Sequence, residues 1–585
     1  MTRARKLLLS LIILAVAAAA WMVVRVARYA PAAAPEVRAD RLGYPWRGAF
    51  HVHSTASDGS GTVDEIMAAA ARAELDFVVL TDHNVRAAER PASAWYGDVL
   101  LITAEEISIE EGHLLALQVP PHRYRFGPTA RQALADIRRE GGWALIAHAD
   151  HAWQQWRGGQ AGTEGLEVVN LAAAWSRQGG VSRALTVGES LIGGDVAGLR
   201  LLRYRWPMLQ WWDARTALRN DAGLLPRRLV AIAAADAHGP FVGPVPSYAD
   251  TLGALATLVF NDRSPEQERA TGDVATIERK LMEALRAGRA AIVTTALGDV
   301  ATFSFTADSA LGSARMGDTA AFEAGPWRLR VQFDAGEPGE IVLLRDGEVV
   351  QRAAGSKLEA VADTPGTYRV EVYREAVGGR AVGGPPWLVS NPIYVWPAAA
   401  RAAARVRPVP PLPAPPVTRD LLAAARFEAN ERGVVANVVE GVDMPRWRFE
   451  MARPNTFDAF AAMAWRPGSP LDWSAADGVV IELRARRPLR VNLEVRARAA
   501  GGQTESWTHS VLALPDSRAV AIPWSGFREP WSEDLSAERV AEPRRPTAAD
   551  LTRVNGVFLV VTPLLLQDGE TGELELRRLG LYGER

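Results

Sequence analysis

Cysteine is absent from all 585 residues, which excludes disulfides, thiolate metal sites and a cysteine nucleophile. An excess of one charge is missing too: 66 basic residues face 68 acidic ones, leaving a formal net charge of −2. That balance gives no basic footprint for general nucleic-acid binding. Histidine is scarce. Of nine, eight lie between residues 51 and 238, where an even spread would put about three. They are His51, His53, His83, His113, His122, His148, His151 and His238, and the ninth is His509. Imidazoles are costly to bury without partners, so the clustering implies a shared task; His122 reads better as an ordinary hydrogen-bonded histidine. With 48% hydrophobic and 23% charged residues the chain is globular, and its length suits roughly two to four domains.

One apolar run is long. Leu7 to Val24 carries only Ser10 as a polar residue, after Arg3, Arg5 and Lys6. It is long enough to span a bilayer and long for a signal-peptide core. Residues 1–29 are therefore expected to form a single transmembrane helix, with a cleaved signal peptide or a buried core helix as alternatives. The expected location is a bacterial inner membrane, single-pass, with the body periplasmic, or secretion to the periplasm. Arg25 and Arg28 beyond the run weaken the charge argument for orientation. Residues 30–41 read as a tether.

From 42 to 298, strands and helices alternate. Ala49–His53, Phe77–Thr81, Val99–Thr103, His113–Val119, Ala144–Ala147, Leu166–Val169 and Leu229–Ala234 are the expected strands, with helices such as Val63–Ala73 and Thr129–Glu140 between them. Such alternation implies a mostly parallel sheet, and seven units favour a closed or distorted barrel. Polar residues follow the strand ends: Asp82, His83 and Asn84; Glu105 and Glu106; His148, Asp150 and His151; Asn170; Asp236 and His238. That is the catalytic rim of a (β/α) barrel. Residues 153–215 interrupt the pattern with Trp153, Trp156, Trp175, Trp206, Trp211 and Trp212 and the basic Arg200, Arg203 and Arg205. They read equally well as a cap over the rim or as the core of an insertion.

Short alternating runs over 299–396 predict a small β-sandwich. Residues 397–418 contain R-V-R-P-V-P-P-L-P-A-P-P and read as a semi-rigid linker. Residues 419–585 read as a jelly-roll-like β-domain. Carbohydrate is an expected partner there only if aromatics line one exposed face; Trp447, Trp465 and Trp473 read better as core.

The stretch F-H-V-H-S-T-A-S-D-G, 50–59, carries the strongest chemistry. On a strand, His51 and His53 point to one side, and Asp58 follows, a pattern that presents ligands to a metal. The elements H-x-H-x-x-x-S-D-G (51–59), T-D-H-N (81–84), E-E-I-S with G-H-L-L-A-L (105–117), A-H (147–148) and D-A-H-G (236–239) run in order over the first half of the chain. Together they resemble the polymerase-and-histidinol-phosphatase (PHP) superfamily of metallohydrolases. T-D-H-N, G-H-L-L-A-L, D-A-H, the leading anchor and W-L-V-S-N-P-I-Y (387–394) are similar to its carbaryl hydrolase-like branch. The final domain resembles a carbohydrate-binding or complex-I-assembly-type jelly roll.

The resemblance implies an α/β fold: a distorted (β/α)7 barrel, then a β-sandwich and a jelly-roll-like domain. It implies two or three divalent ions, Zn, Mn or Fe. Their ligands would be His51, His53, His83, His148, Asp236 and His238, with Glu106 or its neighbour Glu105 bridging and Asp58 and His113 at a further ion. Glu106, Asp58 and His113 are the expected catalytic residues. Asp82 and Asn84 are expected to hold His83 in one tautomer. His151, in an A-H-A-D-H variant of the usual A-H-P, and Asp150 are ligands or rim. The implied enzyme is a phosphoesterase acting through a metal-activated hydroxide on a small-molecule ester. A carbamate, ester or amide hydrolase is the alternative, and a non-catalytic envelope-binding protein a third reading.

Overall fold

The apolar amino-terminal run folds as helix α1, Arg3–Ala27, which satisfies its backbone polar groups within the segment. Within Arg5–Ala27 an 18-residue window reaches a mean hydropathy of 2.8, enough by length and composition to cross a membrane; a signal sequence passes the same test. The computed structural model describes residues 3–27, 29, 31–32, 42–85, 90–122, 124–159, 162–192, 201–202, 206–218, 226–239, 246–374, 384–404, 414–452, 459–499, 501–529, 544–563, 565–566 and 570–584. Two compact units divide the chain: Met1–Pro120 with Ile137–Arg407, and Pro121–Asp136 with Pro408–Arg585.

The first unit is mixed α/β. Its strands are β1 (Tyr44–Val52), β2 (Phe77–Leu80), β3 (Ala94–Tyr96), β4 (Val99–Thr103), β5 (Glu105–Ile109), β6 (Gly112–Leu117), β7 (Trp143–Ile146), β8 (Gly165–Asn170), β9 (Val230–Ala234), β10 (Ala256–Asn261) and β11 (Ala290–Val293). Helices α2 (Val63–Arg72), α3 (Ala130–Arg139, of which only Ile137–Arg139 belong to this unit), α4 (Leu171–Ser176), α5 (Gly180–Ile192) and α6 (Pro207–Thr216) connect several of them. Helix α2 begins at Thr62 because Thr62 and Glu65 cap each other, and it buries Ile66, Met67, Ala69 and Ala70. Strands β2 and β4 are buried throughout, which explains their unbroken apolar sequences.

The strands are not mostly parallel. β1–β2, β2–β4, β7–β8 and β8–β9 are parallel, whereas β1–β10, β5–β6, β6–β7 and β10–β11 are antiparallel. One sheet carries β11-β10-β1-β2-β4-β3 and a second carries β5-β6-β7-β8-β9. Isolated bridges Val52–Ala237 and His83–Glu106 join the two sheets. The antiparallel pairs arise partly because Glu105–Ile109, expected to leave a strand end as loop, is itself a strand turning back at Glu110-Glu111.

Residues 299–396 do not stand apart. β11 pairs with Leu388–Ser390, so strands of that region extend the first sheet. A free β11 edge would leave unpaired backbone groups, and this pairing removes them. A second, four-stranded sheet that includes Thr302–Ser309 and Trp327–Asp334 shares a core of Phe303, Phe305, Phe333, Val370 and Trp387 with it. Of the proline-rich linker, residues 405–413 lie outside the described residues, and Ala398–Ala403 is a short helix.

The second unit holds two antiparallel sheets, of six and five strands. Between them lies a core that includes Trp447, Trp465, Trp473 and Trp507. The three tryptophans weighed as a sugar platform are therefore interior. His122 lies in this unit, its ring Nδ1 2.7 Å from the Tyr124 carbonyl, as an ordinary hydrogen-bonded histidine.

Candidate metal centre

The site begins with a departure from regular strand. β1 slips register between Phe50 and Val52 where it pairs with β2, and His51 has φ 65°. This bulge, rather than simple alternation, aims His51 inward next to His53. His148 (φ 24°), Asp236 (φ 47°) and Asn84 (φ 45°) also take left-handed backbone. Such conformations cost about 1–3 kcal/mol each and concentrate where function over-determines them.

Backbone pairing at the end of β1 sets the neighbours. Ala237 N donates to His51 O and His53 N to Ala237 O, bringing Asp236 and His238 to one flank. On the other, Thr81 N donates to Val52 O and Glu106 N to Thr81 O, placing His83 beside Glu106. Ala147 N donates to His113 O and seats His148 next to His113.

Glu106 is the hub. Its Oε2 lies 2.8 Å from His51 Nε2, 3.1 Å from His53 Nε2 and 3.2 Å from His83 Nε2. Its Oε1 lies 2.7 Å from His113 Nδ1 and 2.9 Å from His148 Nε2. Asp236 Oδ1 adds contacts to His51 (3.4 Å), His53 (3.6 Å) and His238 (3.6 Å). Asp58, half-exposed at the mouth, lies 3.3 Å from His53 and His238 and 3.7 Å from His83.

Glu105 and Glu106 are neighbours on β5, so they face opposite sides. Glu105 belongs to none of the ligand groups; its charge acts on Arg90. Asp82 is not turned to His83: it accepts from Ser54 N and Oγ and from Ser57 Oγ, each at 2.6 Å, and so pins the turn that carries Asp58. His83 Nδ1 instead lies 3.5 Å from Ser108 Oγ. Asn84 enters through its backbone, its N–H donating to Glu106 O. His151 stands outside the ligand groups, its ring 5.5 Å from that of His148. Asp150 is paired with Arg177.

Glu167 escaped the sequence reading, and so did the packing that requires glycine at position 59. Glu167, buried on β8, lies 2.6 Å from His51 Nδ1 and accepts from His148 N (2.6 Å) and Asn170 Nδ2 (2.8 Å). It holds the outer nitrogen of His51 and frees Nε2 for the centre, as carboxylates behind metal-binding histidines do. Its signal was a lone carboxylate inside an apolar strand, G-L-E-V-V-N, since buried acids need partners. Gly59 closes the Asp58 turn against His53: a Cβ there would sit 2.2 Å from the His53 carbonyl oxygen.

Burial lowers the proton affinity of His51, but Asp236, Glu106 and Glu167 outweigh it and hold its pKa well above the ordinary value. For His53, burial opposes protonation while Asp236 and Glu106 drive the pKa to about 9. His148 is raised against burial by Glu106. Conversely, burial favours neutral Glu106 and Asp236, and the surrounding histidines hold both well below the carboxylate range. His151 has no such support: burial, then His148, push it down to about 4.

These residues fit divalent cations. Five overlapping trios, His51–His148–Asp236, His51–His53–Glu106, His53–Asp236–His238, His53–Asp58–His83 and His83–Glu106–His113, each keep their ligand atoms within 4.8 Å of one another. Donors bound at 2.0–2.2 Å to one ion lie roughly 3–4.4 Å apart. Buried His53 Nε2 has no aligned hydrogen-bond partner despite the acidic oxygens around it. Nitrogen and oxygen donors without sulfur suit Zn, Mn or Fe.

The tryptophan-rich segment divides. Trp156, Trp206 and Trp212 are buried, whereas Trp153 is 68% exposed and its ring stands 5.4 Å from that of His151. Arg200, Arg203 and Arg205 lie outside the described residues.

No protein-family model and no curated protein matches the chain. Among solved structures, a two-domain protein from Bacteroides vulgatus, described as containing a predicted PHP-like metal-dependent phosphoesterase, shares 14% identity. The match covers 62% of this chain and 98% of that one, at a TM-score of 0.28. The family 11 carbohydrate-binding module of a Clostridium thermocellum cellulase shares 12% identity over 30% of this chain and 96% of its own, at 0.22. At such TM-scores neither likeness carries weight, and the chemistry rests on the site itself.

Proposed function

We propose that this chain is a metal-dependent hydrolase of phosphate esters, of the PHP type. In this reading β1, β2 and β4–β9 close as a distorted barrel around two or three divalent ions, and residues 419–585 form a jelly-roll-like domain. One observation carries the reading: five imidazoles converge within 3.2 Å of the two oxygens of Glu106. A structural site closes with four ligands, whereas this one supplies eight or nine donors in overlapping sets with an open mouth.

His51, His53, His83, His113, His148, His238, Asp236 and Asp58 would hold the ions, together with the central carboxylate of Glu106. Bound divalent cations supply Lewis acidity, bringing water ionisation toward neutral pH and offsetting charge on the ester oxygens. Glu167 fixes the His51 tautomer. Asp82, through Ser54 and Ser57, fixes the turn that carries Asp58 to the mouth.

The test is hydrolysis of p-nitrophenyl phosphate and bis(p-nitrophenyl) phosphate by the full chain, before and after chelation, beside an aryl carbamate. Metal-restored phosphate-ester turnover, lost in His51→Ala, supports the reading. Turnover of the carbamate alone moves the assignment to acyl chemistry, and turnover of neither removes it.

We also propose that α1 is an uncleaved membrane anchor. Its last turns pack on the body: Arg25 Nη1 pairs with the buried Glu189 Oε1 at 2.6 Å, and Tyr29 Oη donates to Ala296 O. Cleavage would remove the Arg25–Glu189 ion pair. Intact mass of the membrane-extracted protein tests it.

A further inference from the structure

Helix α5 joins two features that have no evident reason to be neighbours. At one end it meets α1. Gly188 admits Met22 so closely that a Cβ there would lie 2.7 Å from the Met22 sulfur, and the next residue, Glu189, takes Arg25. Glycine at such a contact is what lets two helices approach within a membrane-adjacent interface. At the other end, α5 reaches the metal centre. The Arg183 guanidinium lies 6.0 Å over Trp153, Trp153 meets His151 edge-on, and the His151 ring is 5.5 Å from that of the ligand His148.

The free side of α5 is apolar. Val181 is 79% exposed, Leu191 62% and Ile192 44%; the last two follow Glu189 within one turn, beside the end of the apolar span. Single exposed aliphatics are ordinary, but three on one helix packed against α1, with an exposed Trp at the far end, are the kind of side chains a lipid surface would cover. Tryptophan favours the bilayer–water boundary.

We infer that α5 and Trp153 rest on the lipid surface and open the metal centre toward it, so that the substrate is a phosphate ester of a bilayer lipid. The inference rests on the phosphoesterase and anchor readings above and names their substrate class. The headgroup phosphorus enters from the interface while the acyl chains stay in the membrane. Water adds to phosphorus, the P–O bond to the lipid alcohol breaks, the alcohol oxygen takes the proton and remains in the bilayer, and phosphate leaves to water.

The experiment uses the full chain in phosphatidylcholine nanodiscs with methyl phosphate and hexadecyl phosphate, monoesters that differ only in chain length, and reads the inorganic phosphate released. Wild type should favour the hexadecyl ester in kcat/KM by about tenfold or more. The double variant L191S/I192S should lose that preference while its rate on the methyl ester stays within about twofold. Equal preference in wild type, or equal effects of the variant on both esters, overturns the substrate class.

The absence of cysteine permits a second readout that does not need turnover. A bimane on Leu191→Cys should be quenched by nitroxide-labelled lipid, and one on Leu311→Cys, an exposed hairpin position, should not. Equal quenching at 191 and 311 overturns the lipid contact. Quenching at 191 with hydrolysis of neither ester upholds the lipid contact and removes the phosphoesterase reading instead.

Discussion

Replacing Glu167 with Gln tests whether the cluster is tuned for a cation. Three donors converge on that carboxylate: His51 Nδ1 and His148 N at 2.6 Å, and Asn170 Nδ2 at 2.8 Å. An amide offers one oxygen and one NH2 in the same space. With the oxygen toward His148 N and Asn170, the NH2 faces His51 Nδ1, which must then shed its proton and accept. The proton moves to Nε2, the nitrogen 2.8 Å from Glu106, and His51 loses its inward lone pair. With the amide reversed, the buried His148 N–H loses its acceptor, at about 1–3 kcal/mol. Either way the site weakens by about 1.4–2.7 kcal/mol, which is 10- to 100-fold in metal affinity. Competition with a chromophoric chelator measures the affinity, and thermal unfolding of the metal-free protein checks that it folds. A variant that folds and binds metal within about twofold of wild type would show that Glu167 is not orienting a ligand, and the reasoning fails.

Glu106→Gln should strip metal and activity, whereas Glu105→Gln, on the opposite face of β5, should retain both; elemental analysis of the pair reverses the assignment if Glu105→Gln is the one that loses metal. Metal binding should release protons near neutral pH, because His53, held at about 9, and His51, raised well above the ordinary imidazole value, carry protons there without an ion. Release should fade as pH rises past about 9 and affinity should weaken as pH falls; calorimetry in buffers of differing ionisation enthalpy reads this, and no buffer dependence contradicts it. Trp447→Ala should cost about 3–5 kcal/mol, since its indole is fully buried and donates to Asn437 Oδ1; denaturant unfolding showing a loss below about 1 kcal/mol would contradict the core assignment.

The residues that converge were legible because ordered H-x-H, T-D-H-N and D-A-H elements announce themselves singly, whatever backbone carries them. How they converge was less so. Spacing of i, i+2 pointed His51 and His53 to one side, but a bulge with left-handed His51 does the aiming, and bulges leave no periodic signature. Glu105 and Glu106 were inseparable while their segment read as loop; as strand β5, alternation sorts them. Asp82 lies next to His83 in sequence, yet its carboxylate serves Ser54, a partner 28 residues away. Glu167 reads as one acid in an apolar strand until His51 stands behind it. The boundary at 298 followed a real change of texture, but which edge β11 would pair with is a tertiary fact.

The most direct measurement is divalent metal per chain in the purified full-length protein by plasma mass spectrometry, beside Glu106→Gln. The account predicts about two or more equivalents in wild type and loss of most of them in the variant. Wild-type protein without metal above background after incubation with Zn, Mn and Fe, or a variant that keeps the full complement, would contradict it.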